Sequence, residues 1–242
     1  MKVFLFVPCF INHLYPSVGL ATWRVLERAG NFVVYKPHGC CGQPAYNAGW
    51  EEPALITARN TQVIISEEEH DVVVVPSASC TAFMKKHWEH KKPIYELTQF
   101  LVDVLGWVPE NAYFPAKVTY HDSCSALRDL NISYQPRQLL KSIDGLGLVE
   151  MSHRDRCCGF GGTFSVKFTD VSVAMGQFKL REALKTKAQF VVSTDQSCFM
   201  HLESLSEALG YSLRFLHIAE ILALSLNLLK DEDLAEFQWR EG

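Results

Sequence analysis

The sequence predicts an α/β protein made of two pseudo-symmetric repeats, each a βαβ-type unit with a mostly parallel sheet. Three observations carry that prediction. Eight cysteines fall into two sets of matching spacing, short apolar or β-branched runs precede each cysteine or cysteine pair, and helix-like segments alternate with those runs. The first set reads C-x30-CC-x38-C over Cys9, Cys40, Cys41 and Cys80, and the second reads C-x32-CC-x39-C over Cys124, Cys157, Cys158 and Cys198. A shift of 115 to 118 residues lays one set on the other, and glycine follows both adjacent pairs, at Gly42 and Gly159. Duplication is the simplest origin of such a pattern.

In the first repeat Val3 to Val7 reads as a strand leading to Cys9, Ser17 to Ala29 as a helix, and Phe32 to Tyr35 as a strand before the first pair. Glu52 to Glu69 follows as a helix with Pro53 near its first turn, where a missing N–H costs nothing. Asp71 to Val75 is the strand that leads to Cys80. The second repeat runs in parallel: strand Lys117 to Tyr120, helix Gln135 to Ile143, strand Leu146 to Met151, helix Asp170 to Lys187, strand Phe190 to Ser193. Strands alternating with helices mean a parallel sheet, and the cysteines then lie past the carboxyl ends of strands, the edge where such sheets bind ligands. The expected boundaries are 1–110 and 115–230 for the repeats, with Pro109 and Pro115 bracketing a polar turn, and 231–242 for a tail.

A chain of 242 residues holds one large domain or two small ones at about 150 residues each. Its 48% hydrophobic and 21% charged residues are an ordinary globular mixture. A net charge of -4 with no Lys/Arg block argues against a nucleic-acid surface. Met1 to Ile11 is apolar but lacks a small-residue cleavage site. Ile218 to Leu229 is too short to cross a bilayer, carries Glu220 and Asn227, and reads as a packed helix. The expectation is a cytoplasmic chain without a transmembrane segment, in which cysteines serve as metal ligands or redox groups and not as disulfides.

Four thiolates converging from strand ends can complete the ligand set of a [4Fe-4S] cluster or hold a tetrahedral zinc. Zinc knuckles place two to four residues between a ligand pair, whereas here the close ligands are adjacent. That spacing favours an iron-sulfur cluster, up to two in the chain, with zinc as the alternative. Gly42 and Gly159 would let the backbone turn tightly beside a bulky group.

Pro8-Cys9, Cys40-Cys41-Gly42-Gln43-Pro44, Pro76-Ser77-Ala78-Ser79-Cys80, Cys157-Cys158-Gly159-Phe160-Gly161-Gly162 and Ser193-Thr194-Asp195-Gln196-Ser197-Cys198 resemble the CCG-type cysteine-rich domain. That domain occurs twice in the B subunit of heterodisulfide reductase. From Lys2 to about Leu229 the chain is more similar to the lactate utilization protein A family, two-repeat CCG proteins. The resemblance implies an iron-sulfur electron-transfer subunit of a complex oxidising L-lactate, or a related 2-hydroxy acid, to pyruvate. It also implies partner subunits, one of them a ferredoxin-like iron-sulfur protein. Ser77 and Asp195 stand where the heterodisulfide reductase pattern has the first Cys of its CxxC, so that enzyme's noncubane clusters and disulfide cleavage lack one thiol per repeat here. Each residue is either an oxygen ligand or a polar side chain closing the turn after a strand. A zinc-stabilised, non-redox interaction subunit and a thiol-disulfide reductase are the rival readings.

His38, His121, His153 and His201 lie near cysteines in sequence, and none recurs in the other repeat. A hydrogen-bonding role beside the site suits His38 and His121, and that of a merely satisfied surface or core histidine suits them better still. No Ser-His-Asp arrangement or carboxylate pair points to a substrate site within this chain. The tail is acidic, with Asp231, Glu232, Asp233, Glu236 and Glu241 around Phe237 and Trp239, and reads either as a solvated end or as a docking element for a partner.

Overall fold

Four consecutive valines, Val72 to Val75, have no polar face to turn to water, so the run is stable only in a sheet covered on both sides. In the computed structural model, which describes residues 1–89 and 91–229, all four are fully buried. Burial of each contributes about 1.5 kcal/mol or more.

The first repeat runs β1 (Lys2–Leu5), α1 (Cys9–Leu14), α2 (Pro16–Arg28), β2 (Phe32–Val34), α3 (Gln43–Asn47), α4 (Glu51–Ser66), β3 (Val72–Val75), α5 (Ala78–His87), β4 (Ile94–Glu96) and α6 (Leu97–Gln99), which continues as a π-helical turn, Phe100–Val104. The second runs β5 (Lys117–Tyr120), a π-helical turn at Ser125–Asp129, α7 (Tyr134–Lys141), β6 (Gly147–Leu148), α8 (Thr163–Lys167), α9 (Thr169–Lys185), β7 (Phe190–Ser193), α10 (Gln196–Ala208), β8 (Arg214–His217) and α11 (Ile218–Ser225). Each repeat builds a four-stranded sheet, ordered β2-β1-β3-β4 and β6-β5-β7-β8. All pairings in both sheets are parallel, so the fold is α/β with two similar repeats, as the sequence predicts.

Alternation along the strands decides what each sheet face carries. Val3, Leu5, Val72 and Val74 join Val118, Tyr120, Val192 and Ile221 in one hydrophobic core shared by both repeats. Helix α11 of the second repeat packs on α2 of the first within it. The opposite faces hold separate clusters: Phe4, Phe6, Val73 and Val75 with Cys41 and Cys80, and Met151, Val191 and Phe199 with Cys158 and Cys198. The repeats are thus fused through apolar faces, and the cysteines follow the carboxyl ends of the strands.

Strands β4 and β8 are additions to the three strands per repeat that the sequence suggests. Both are edge strands, and each ends in the residue that caps the next helix. Glu96 accepts from Thr98 N and Gln99 N at 2.7 and 3.1 Å, and His217 accepts from Ala219 N at 3.1 Å. The run from Leu146 to Met151 contributes only Gly147–Leu148 to the sheet, paired with β5 alone. Among the described residues no helix is long and apolar enough to cross a membrane. The acidic tail at 231–242 lies outside the described residues.

Candidate metal centre

The adjacent cysteine pairs sit where the chain leaves β2 for α3 and β6 for α8. The glycine after each has positive φ, +104° at Gly42 and +94° at Gly159. A Cβ there would come within 2.6 Å of the Ala54 carbonyl oxygen in the first repeat and 2.5 Å of the Ser172 oxygen in the second. Only glycine fits, because the turn is left-handed and the long helix passes against it. The turn also aims each glycine N–H at the first sulfur of its pair, Gly42 to Cys40 Sγ and Gly159 to Cys157 Sγ, both at 3.4 Å.

Cys80 and Cys198 lie in the first turns of α5 and α10, where the partial positive charge of a helix start favours a thiolate. Ser77 and Asp195 cap those helices. Ser77 Oγ accepts from Cys80 N at 3.4 Å, and Asp195 Oδ1 accepts from Ser197 N at 3.2 Å. Both therefore close the turn after a strand, the second of the two roles their positions suggest. Asp195 does more than its counterpart, since its Oδ2 accepts from Ser79 N of the other repeat at 2.7 Å.

All eight cysteines are unbridged, and the four of each repeat come together. Cys41 Sγ lies 3.6 Å from Cys80 Sγ. Cys9 and Cys41 also lie against Cys40, and Cys124 and Cys158 against Cys157, within reach of thiol hydrogen bonds. These bonds hold Cys40 and Cys157 far below the ordinary thiol range. Their donors, Cys9 and Cys124, are pushed up for the same reason. Each set thus concentrates negative charge on one sulfur, and the thiols around it would give up their protons only to a bound metal. A cavity of about 320 Å³ between the repeats is lined by all eight cysteines, together with Asp195 and Gly161-Gly162. A larger depression of about 500 Å³ lies at the other edge of the first sheet, lined by Glu68, Glu69, His70 and Lys92, and contains no cysteine.

Of the four histidines, His121 alone forms a close group with two thiols. It is fully buried at the end of β5, and a ring nitrogen lies within 4.8 Å of Cys158 and Cys198 Sγ. Burial, and then the charge of Lys179, lowers its pKa to about 3, so the ring is neutral. His38 stacks on Phe6 with centroids 4.1 Å apart. His201 Nε2 lies 3.3 Å from Ser172 Oγ. His153 is exposed.

Two other residues that shape the site carry no signal in the sequence. Lys179 is buried, and its ammonium donates to the carbonyls of His153 and Arg154 at 3.0 Å, pinning the loop that enters Cys157. Arg137 grips Asp122 with two bonds of 2.8 Å and Glu150 through Nε at 2.6 Å, tying the end of β5 to the same loop. A lysine and an arginine within helical patterns read as surface until tertiary contacts bury them.

The donor set fits a thiophilic metal or an iron-sulfur cluster: four sulfurs in contact per repeat, backbone N–H groups aimed at sulfur, and no carboxylate competing in the first set. A family model described as a cysteine-rich domain, CCG, matches residues 3–85 and 118–203. Lactate utilization protein A of Exiguobacterium sp. is 40% identical over 236 residues, covering 91% of this chain and 96% of its own length. Lactate utilization protein A of Oceanobacillus iheyensis is 37% identical over 237 residues, with 92% and 96% covered. A crystal structure of a hypothetical protein from Helicobacter pylori shares the fold at a TM-score of 0.64 and 11% identity; 97% of this chain aligns and spans 50% of that one. Duplicated CCG turns, glycines that no other residue can replace, and relatives matching over nine tenths of the chain place it in the lactate utilization protein A family of two-repeat CCG cysteine-rich proteins.

Proposed function

We propose that the protein is an iron-sulfur electron-transfer subunit of a cytoplasmic complex that oxidises L-lactate, or a related 2-hydroxy acid, to pyruvate. The observation that carries this reading is the convergence of all eight cysteines on one cavity. The substrate comes from the name of the relatives. In this reading Cys9, Cys40, Cys41 and Cys80 hold one [4Fe-4S] cluster and Cys124, Cys157, Cys158 and Cys198 a second. Such a cluster, when bound, supplies reversible one-electron storage at a potential set by its surroundings.

The chain's own residues supply those surroundings. Gly42 and Gly159 offer N–H groups to sulfur, and the starts of α5 and α10 favour negative charge on Cys80 and Cys198. The common cavity keeps the two sets adjacent, which a relay requires. Lactate oxidation releases an electron pair and two protons, and partner subunits, including a ferredoxin-like iron-sulfur protein, hold the substrate and pass the electrons on. Ser77 and Asp195 serve as helix caps, which supports simple clusters over the disulfide chemistry of the five-cysteine enzymes.

Protein purified without oxygen is expected to be brown, to contain iron and acid-labile sulfide in nearly equal amounts, and to bleach on reduction. Together with its partner subunits it should bleach on addition of L-lactate. Stoichiometric zinc without sulfide would overturn the reading in favour of a zinc-stabilised interaction subunit.

A further inference from the structure

The duplication makes the two thiol sets equivalent, but residues brought to matching places around them differ. Phe6 and His121 follow β1 and β5, and each donates its amide N–H to the neighbouring central strand, Phe6 to Val74 O at 2.9 Å and His121 to Val192 O at 2.8 Å. The same place thus carries a phenyl ring in one repeat and an imidazole in the other. The phenyl ring is covered by His38, stacked at 4.1 Å, and by the edge of Trp88 at 5.7 Å. The imidazole is fully buried, and among the described residues neither Nδ1 nor Nε2 has a hydrogen-bond partner. Buried polar groups are rarely left so unless a bound species satisfies them. A nitrogen of this ring and the sulfurs of Cys158 and Cys198 converge within 4.8 Å, and among the described residues no histidine makes such a group with the first set.

A second difference lies in the long helices. Helix α4 places Thr61 against the first pair, its hydroxyl donating to Cys40 O at 2.9 Å. Helix α9 places the buried Lys179 beside the second pair, with its ammonium on the carbonyls of His153 and Arg154 at 3.0 Å. The threonine holds the first cysteine of its pair and the lysine the loop before its pair, and only the lysine brings a charge.

We propose that His121 belongs to the second site, as a neutral nitrogen donor to the metal centre held there with Cys158 and Cys198. The first site is then all sulfur, whereas the second combines sulfur with nitrogen beside a buried cation. The inference rests on the metal-binding part of the proposed function and adds a direction to it. A nitrogen donor adds no negative charge to an iron-sulfur centre, and a nearby positive charge raises its potential. Electrons therefore enter at the first set and collect at the second.

The test is pulsed EPR on the reduced, anaerobically purified protein with and without ¹⁵N-histidine. The wild-type spectrum is expected to show a nitrogen coupling that changes with the label, disappears in His121→Phe and survives in His38→Phe. Phenylalanine is the first repeat's own residue at this place, and the wild-type labelling result does not depend on any variant folding. A wild-type spectrum insensitive to the label, or a labelled coupling that persists in His121→Phe, would overturn the inference. Iron and sulfide analysis of the same sample reports separately on the proposed function. A sample found to hold zinc is measured after Co²⁺ substitution, so the two statements fail independently.

Discussion

Glu96 carries a full side-chain burial with only half of its carboxylate satisfied. Its Oε2 accepts from Thr98 N at 2.7 Å, Thr98 Oγ1 at 2.5 Å and Gln99 N at 3.1 Å, whereas Oε1 has no partner among the described residues. Burial is the main cause that raises its pKa from 4.5 to about 7, against those three bonds. A carboxyl with a raised folded-state pKa gives stability that is fully present below the unfolded value and lost as pH rises through the folded one. Relative to Glu96→Gln, which is always neutral, the wild type should therefore lose stability between about pH 4.5 and pH 7, by up to about 3 kcal/mol at about 1.4 kcal/mol per pH unit. Urea unfolding of both chains across that window measures the difference. A gap that does not change with pH would show that the carboxyl ionises in the folded protein as it does in the unfolded one. Nothing in Ile94-Tyr95-Glu96-Leu97 marks this glutamate as buried, because the strand it ends is short and carries no period of its own.

At the scale of elements, α5 and α10 are the struts that carry Cys80 and Cys198, and one carboxylate joins their starts. Asp195 caps its own helix through Ser197 N and reaches Ser79 N at the start of the other. An N-cap is worth about 1 kcal/mol, so Ser77→Ala should cost roughly that much, and Asp195→Ala about twice as much because it strips donors from two helices. Asp195→Asn should recover part of the loss through its remaining amide oxygen. Equal losses for Ser77→Ala and Asp195→Ala in urea unfolding would mean the bond across the repeats contributes nothing. The polar character of positions 77 and 195 was legible as turn chemistry, but the bridge was not, since it joins residues 116 positions apart. The central strands were legible for the opposite reason. Val72 to Val75 and Phe190 to Ser193 are apolar runs that fit only a sheet interior, while edge strands such as β4, of three residues, lack that pattern.

At the scale of the molecule, the duplication read from cysteine spacing becomes two sheets fused through one core, with thiols from both repeats facing one cavity. Spacing disclosed which cysteines belong together. That the two sets meet was hidden, because it depends on how α5 packs against the turn at Ser125–Asp129 and on the bonds from Ser79 to Asp195 and Thr163 to Asn47 across the repeats. The asymmetry of the sites was hidden as well, since His121 and Lys179 gain meaning only beside Phe6 and Thr61. A shared cavity raises the alternative that all eight thiols serve one centre, whereas the sulfur contacts within each repeat favour two. Iron and sulfide per chain, measured on wild type, on Cys40→Ser with Cys41→Ser, and on Cys157→Ser with Cys158→Ser, decide between them. Two centres predict that each double variant, still folded by circular dichroism, keeps about half of the wild-type iron and sulfide. Loss of nearly all iron from either folded variant would contradict the account.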